Sequence, residues 1–150
     1  MQLYNNLLQN KLADKFSFYY KIDLSFIQKT LSKLCDIDSI IAISLVDIES
    51  QLLLVAYCDL EFPMNDFSKS SLEILHSIET LAKDSSLEKE QKIQDVIIDT
   101  KNDFSLSIPF TMIKNRNFLI YIQVQHGGYN ISLLKKNVYE YIEVLKDKYV

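Results

Sequence analysis

The chain has 150 residues, 48 % of them apolar, with two Gly, two Pro and a formal net charge of −4. At that length one domain can bury roughly two thirds of the surface its unfolded chain exposes, so a self-sufficient core is expected and a linker, repeat array or disordered region is excluded. The acidic balance, with the single arginine Arg116 among scattered lysines, argues against a nucleic-acid partner. The longest apolar runs, 39–46 and 118–124, fall well short of the roughly 20 residues of a membrane-spanning helix, so no transmembrane segment is expected. Cys35 and Cys58 make no disulfide framework, and the N-terminus lacks the pattern of a signal peptide; the expectation is a cytoplasmic protein with reduced thiols.

Residues 1–21 read as an N-terminal extension. Leu3, Tyr4, Leu7, Leu8 and Leu12 fall on one broad side of a helix, and Phe16, Phe18, Tyr19 and Tyr20 follow as an aromatic run. An extra helix packed on the domain is the expected outcome. A detachable arm for a partner or a membrane surface competes with it, and the few lysines of this stretch weigh against the membrane.

Residues 22–150 form the main domain. Its first helix has Asp23 as N-cap and Ile22 with Ile27 as a hydrophobic staple, followed by a stripe of Leu24, Ile27, Leu31, Leu34 and Cys35, with Phe26 pointing away. Residues 40–46 are apolar on both faces, as in a strand covered above and below; residues 47–50 read as a turn, and residues 51–57 as the second strand of a hairpin. A helix starting near Ser68 is expected to align Phe67, Ile74, Leu75, Ile78, Leu81 and Ala82 inward, and Leu72, His76, Glu79 and Lys83 outward. Residues 85–91 read as a charged loop. Three strands follow at 93–100, 104–113 and 118–124; Pro109 in the middle one, which cannot donate to a ladder, marks an edge, a strand end or a bulge. The closing helix follows Gly127-Gly128 and is capped by Asn130, with Ile131, Leu134, Val138, Tyr141, Ile142 and Leu145 as its stripe. The expected class is α+β: a five-stranded antiparallel sheet with helices on both faces, in the order α-β-β-α-β-β-β-α, plus the extra N-terminal helix.

No arrangement of residues specifies a reaction. His76 and His126 have no second ligand at metal-site spacing. Gly127-Gly128 lacks the Lys-Ser/Thr of a phosphate loop, so no nucleotide site is expected and GTP itself should not bind. Cys35 and Cys58 have no activating base, and Asp95 with Asp99 fits an exposed strand face better than an acid–base pair. No catalytic, metal or cofactor-binding residue is assigned.

The succession of elements over residues 23–148 resembles the roadblock family, named for dynein light chains and including partners of Ras-like GTPases. The carriers are the hairpin IIAISLVDIESQLLLVAYC, the helix SLEILHSIETLAK, the meander VIIDTKNDFSLSIPF and NFLIYIQV, and the closing GGYNISLLKKNVYEYIEVL. Ser50 departs from the family pattern, standing where a Gly is frequent in the first hairpin turn. The related longin order, with two helices at the end, fits less well because one helix follows Val124. The resemblance implies a non-catalytic module that dimerises through the helix after the hairpin and the third strand and serves small GTPases or motor and signalling complexes. On this reading the partner is a copy of the chain or a sister subunit, with a small GTPase as a candidate further partner. The interface residues are Leu72, His76 and Glu79 of the helix and Val96, Ile97 and Ile98 of a bare edge strand, which pairing would cover. A small-ligand-sensing domain with a pocket between sheet and helix is the alternative, and an enzyme of unknown type a distant third.

Overall fold

The computed structural model describes residues 1–37, 39–59, 61–84, 93–127 and 130–149, with the side chains of 81–84 outside that description. The expected charged loop at 85–91 and Gly128 lie outside the described residues.

Helix starts follow from three side chains that accept otherwise unpaired N–H groups. Asn6 accepts from Gln9 N at 3.1 Å and opens α1 (Leu7–Tyr20). Asp23 accepts from Phe26 N at 3.3 Å and opens α2 (Leu24–Leu34), with Ile22 and Ile27 both buried as its staple. Asn130 accepts from Ser132 N and Leu133 N at 2.8 and 3.3 Å and opens α4 (Ile131–Lys148). The remaining helix, α3 (Met64–Asp84), begins a turn earlier than the sequence suggested, directly after Pro63.

One antiparallel sheet joins β1 (Gln2–Leu3), β2 (Ile40–Asp47), β3 (Leu52–Cys58), β4 (Val96–Asp99), β5 (Asp103–Met112) and β6 (Arg116–Gln125) in the order β1-β3-β2-β6-β5-β4. The sheet therefore has six strands, not five. The additional strand is cut from the expected N-terminal helix: Asn6 holds the helix start behind it, and the two preceding residues add to the edge of β3, with Tyr4 N donating to Ala56 O at 2.8 Å. Leu3, Tyr4, Leu7, Leu8 and Leu12 consequently do not share one helix face. Pro109 lies beyond Ser107, the last residue of β5 that β4 partners, in a stretch where β5 has a neighbour on one side only.

The two faces of the sheet differ in cover. Phe104, Leu106 and Ile108 of β5, Phe118, Ile120 and Ile122 of β6 and Ile43 and Leu45 of β2 point to one side. There α1, α2 and α4 close over them with Ala13, Phe16, Ile27, Leu31, Leu134, Val138 and Ile142, all in one core cluster. The other side carries smaller groups, Ala42, Ala56 and Val46 with Leu53 and Leu119, and among the described residues α3 is the helix that covers it, with Met64, Leu72 and Leu75, beside Tyr4, Phe62 and Ile93. Phe26, placed away from the core by its helical phase, packs against it in part, its ring 6.5 Å from that of Tyr149.

Candidate functional site

The edge strand β4 is four residues long and, among the described residues, pairs only with β5, from Val96 opposite Ser107 to Asp99 opposite Phe104. Its ends are anchored separately. Before it, the Asp95 carboxylate meets Lys135 Nζ at 3.0 Å and accepts from the Tyr139 hydroxyl at 3.1 Å, which ties the strand to α4. After it, Asp99 Oδ1 lies 2.7 Å from His126 Nε2, and His126 N donates to Asn102 O at 2.9 Å. Burial, reinforced by the bond to Asp95, pushes the Tyr139 phenol up to about 12, so the hydroxyl stays a donor. Asp95 and Asp99 thus serve two different anchors and do not act as a carboxylate pair.

Successive residues of β4 alternate across the sheet. Val96 and Ile98 face the α3 side, while Ile97 points to the opposite side and is 42 % exposed. Next to Val96 and Ile98 a groove of about 190 Å³ runs between α3 and the sheet. Phe67, Ser70 and Ile74 of α3 form one wall; Ser105, Ser107, Tyr121 and Gln123 form a polar floor. Phe67 leans on Phe62 at 4.7 Å between ring centroids and lies 6.4 Å from Tyr121. Tyr121 donates to Gln123 Oε1, and Gln123 Nε2 donates to Asp103 at 3.3 Å. Burial raises the Tyr121 phenol well above its ordinary value.

The phase of α3 corrects the sequence reading. Leu72, expected outward, is 7 % exposed and belongs to the core under the helix, whereas Phe67 and Ile74, expected inward, are 37 % and 36 % exposed. The reason is the small side of the sheet: buried Ser68 and Ser71 let α3 approach Ala42 and Ala56 closely, and the bulkier residues are displaced to one flank. His76, two residues past Ile74 and so about 200° around the helix, is exposed on the far flank. Glu79 is exposed as well. The structure therefore brings Val96 and Ile98 together with Phe67 and Ile74, turns Ile97 to the opposite face of the strand, and leaves His76 away from the groove.

A second constellation ties the extension to the domain. Arg116 grips the Asp47 carboxylate with Nε and Nη2 at 2.7 and 2.8 Å, donates from Nη1 to the Tyr20 hydroxyl at 2.7 Å and meets Glu49 at 3.0 Å. Its guanidinium lies 5.3 and 4.7 Å from the ring centroids of Phe16 and Tyr20. Asp47 is wholly buried. The same carboxylate accepts from Ser50 N at 2.9 Å and from the Ser50 hydroxyl, and Gln51, not Ser50, takes the left-handed backbone at φ 60°. Ser50 therefore fits the turn where a Gly was expected, because the turn places its positive φ one residue on. The signal for this cluster in the sequence is an acid at the end of an apolar run and the chain's one arginine.

The remaining chemical candidates gain nothing from the fold. Both cysteines are free, and burial pushes the Cys35 thiol up to about 11 and raises that of Cys58, which keeps them protonated and unreactive. Among the described residues no group of three or more His, Cys, Asp or Glu is placed to hold a metal ion, and no helix is long and apolar enough to cross a membrane.

The fold is of the roadblock type, as the order of elements implied. Solved structures of MglB are among those it resembles. The chain is similar to Myxococcus xanthus MglB with a TM-score of 0.66 and 12 % identity, over 81 % of this chain and 92 % of that one. It is similar to the gliding protein MglB from Thermus thermophilus with a TM-score of 0.63 and 12 % identity, over 79 % and 84 %. A structure described as MglB with a tetrameric arrangement gives 0.64 and 12 %, over 79 % and 84 %. No family model and no curated protein matches the sequence.

Proposed function

We propose that this chain is a non-catalytic scaffold that pairs β4 with a copy of itself or a sister subunit and, as a dimer, docks or regulates a small Ras-like GTPase or a motor or signalling complex. The observation that carries the pairing is the convergence of a bare strand edge with an apolar helix flank. Val96, Ile97 and Ile98 lie on the edge, and Phe67 and Ile74 overhang it from α3. An uncovered apolar edge is an aggregation hazard, and pairing it across a two-fold axis removes the hazard while setting the α3 flank of one subunit against that of the other. The interface proposed is Phe67, Ile74, Val96, Ile97 and Ile98, with His76 and Glu79 at its margin and Leu72 supporting α3 from beneath. The GTPase connection rests on the roadblock resemblance.

A small-ligand sensor is the second reading, favoured by the polar floor of Ser105, Ser107, Tyr121 and Gln123. At about 190 Å³ the groove lies below the roughly 300–1,000 Å³ usual for ligand pockets, which favours a neighbouring side chain as its filling. Light scattering coupled to size exclusion tests the pairing: the wild type is expected as a dimer at micromolar concentration. Ile97→Pro is expected to give monomer, as is Phe67→Ser combined with Ile74→Ser, whose positions are exposed and whose fold should survive. A wild-type monomer overturns the proposal.

A further inference from the structure

Docking through Ala13 and Phe16 turns the opposite side of α1 to solvent. Leu7 and Phe18, the latter 90 % exposed, stand there, and Leu8, Leu12 and Tyr19, the last 72 % exposed, lie on the adjoining flank. Large exposed apolar side chains gathered on one helix mark a contact site. Lys11 and Lys15 lie among these side chains, Lys21 follows the last turn, and α2 alongside contributes exposed Lys29 and Lys33. Residues 1–37 hold five Lys against three Asp, a net +2, whereas residues 38–150 hold eleven Lys and Arg against seventeen Asp and Glu, a net −6. The N-terminal quarter of an acidic protein is thus net positive, with few acids, where Phe18 and Tyr19 protrude. The aromatic pair stands out from a convex helix surface, so it fits a layer it can enter better than a peptide it would have to enclose.

We infer that α1 is an interfacial helix that seats the protein on an anionic phospholipid bilayer. Leu7, Leu8, Leu12, Phe18 and Tyr19 enter the boundary between headgroups and acyl chains, while the lysines extend along the helix and keep their ammonium groups at phosphate level. Structure adds Lys29 and Lys33 to the three lysines that the sequence of the extension offered alone.

Flotation of the full chain with vesicles tests it, using phosphatidylcholine alone and phosphatidylcholine with roughly a third phosphatidylglycerol. The wild type is expected to float with the anionic vesicles only and to be released by added salt. Phe18→Ser combined with Tyr19→Ser should lower the bound fraction about tenfold or more while leaving the melting curve unchanged, since neither side chain is buried. Failure of the wild type to float with either vesicle, or flotation unaffected by the Phe18 and Tyr19 replacements, overturns the lipid seat. A wild-type mass above that of a dimer that falls on replacing Phe18 and Tyr19 assigns the face to a second copy and overturns it as well.

Discussion

The two faces of the sheet are built on different terms. Under α1, α2 and α4 the strands present Phe, Ile and Leu in alternate positions, most of them buried, with Asp47 and Arg116 as a charged pair at the rim. Under α3 the corresponding positions are Ala42, Ser44, Ala56, Ser105, Ser107, Tyr121 and Gln123, and the helix covers only part of them. A face filled with branched aliphatics gains stability from area removed from water and from close packing. The face of small and polar groups gives up some of that gain, lets a helix come close, and leaves a groove beside the edge strand. The difference teaches where to look for function in this fold: on the side where the core is thin.

The largest effect should come from the charged contact at the rim of the well-filled face whose carboxylate is wholly buried. Arg116→Ala strands the wholly buried Asp47 carboxylate and removes the hold on Tyr20, and breaking a buried pair by deleting one partner costs about 3–5 kcal/mol. Arg116→Lys should recover little, because a single ammonium cannot reproduce the two-toothed grip on Asp47 together with the bond to Tyr20. Urea titration followed by far-UV circular dichroism measures both. A loss below about 1 kcal/mol would mean that the aliphatic face carries α1 without its clamp.

The same contrast explains what the sequence revealed. Where large apolar residues decide the packing, local pattern mostly suffices: the caps at Asp23 and Asn130, the Ile22–Ile27 staple, the hairpins and the phase of α4 all follow from spacing, whereas α1 departs from it by burying Ala13 and Phe16 and exposing Leu7, Leu8 and Leu12. On the thin face it fails. Two overlapping stripes run along α3, Met64–Ser68–Ser71–Leu72–Leu75 and Phe67–Ile74–Ile78, and counting bulky residues selects the second, whereas contact with Ala42 and Ala56 selects the first. The groove and its link to β4 inherit that error, which is why spacing alone puts Leu72 outward and Phe67 inward. The Asp47–Arg116 contact joins residues 69 positions apart, and no local periodicity encodes it. A strand of two residues, β1, is too short for any alternation to register.

A smaller and pH-dependent effect is expected from the floor of the groove. Burial raises the Tyr121 phenol above its ordinary 10.0, so the folded protein keeps a proton that the unfolded chain releases. Its contribution is fully present below pH 10 and is lost as pH rises through the folded value, at a rate of up to about 1.4 kcal/mol per pH unit for one proton. Cys35, raised from 9.0 to about 11, and Tyr139, raised from 10.0 to about 12, act in the same direction, so wild-type stability should begin to fall above pH 9. Tyr121→Phe should flatten the alkaline limb between pH 10 and 11 without altering the decline near pH 9. Denaturant titrations at a series of pH values check this, and parallel limbs for the two proteins would place Tyr121 in water and reduce the groove to a surface crease.

The smallest effect sharpens the comparison most, because it asks whether the polar groups of the thin face are there for hydrogen bonding or for size. Ser44 sits on β2 between Ala56 of β3 and Tyr121 of β6, fully buried on the side of α3, and its hydroxyl has no hydrogen-bond partner among the described residues. Burying an unpaired hydroxyl is unfavourable by about 1–3 kcal/mol, and alanine keeps nearly the same volume. If Ser44 is selected by the close approach of α3, Ser44→Ala should be neutral or stabilising by up to about 1 kcal/mol, while Ser44→Leu should cost roughly 1–3 kcal/mol by forcing the helix outward. The overpacked variant should also weaken the dimer, since the flank carrying Phe67 and Ile74 moves with α3. Thermal melts together with light scattering measure both outcomes. A loss above about 1.5 kcal/mol for Ser44→Ala would show instead that the hydroxyl bonds within the fold, and that the thin face is a polar network tuned for its groove and not merely a close seat for a helix.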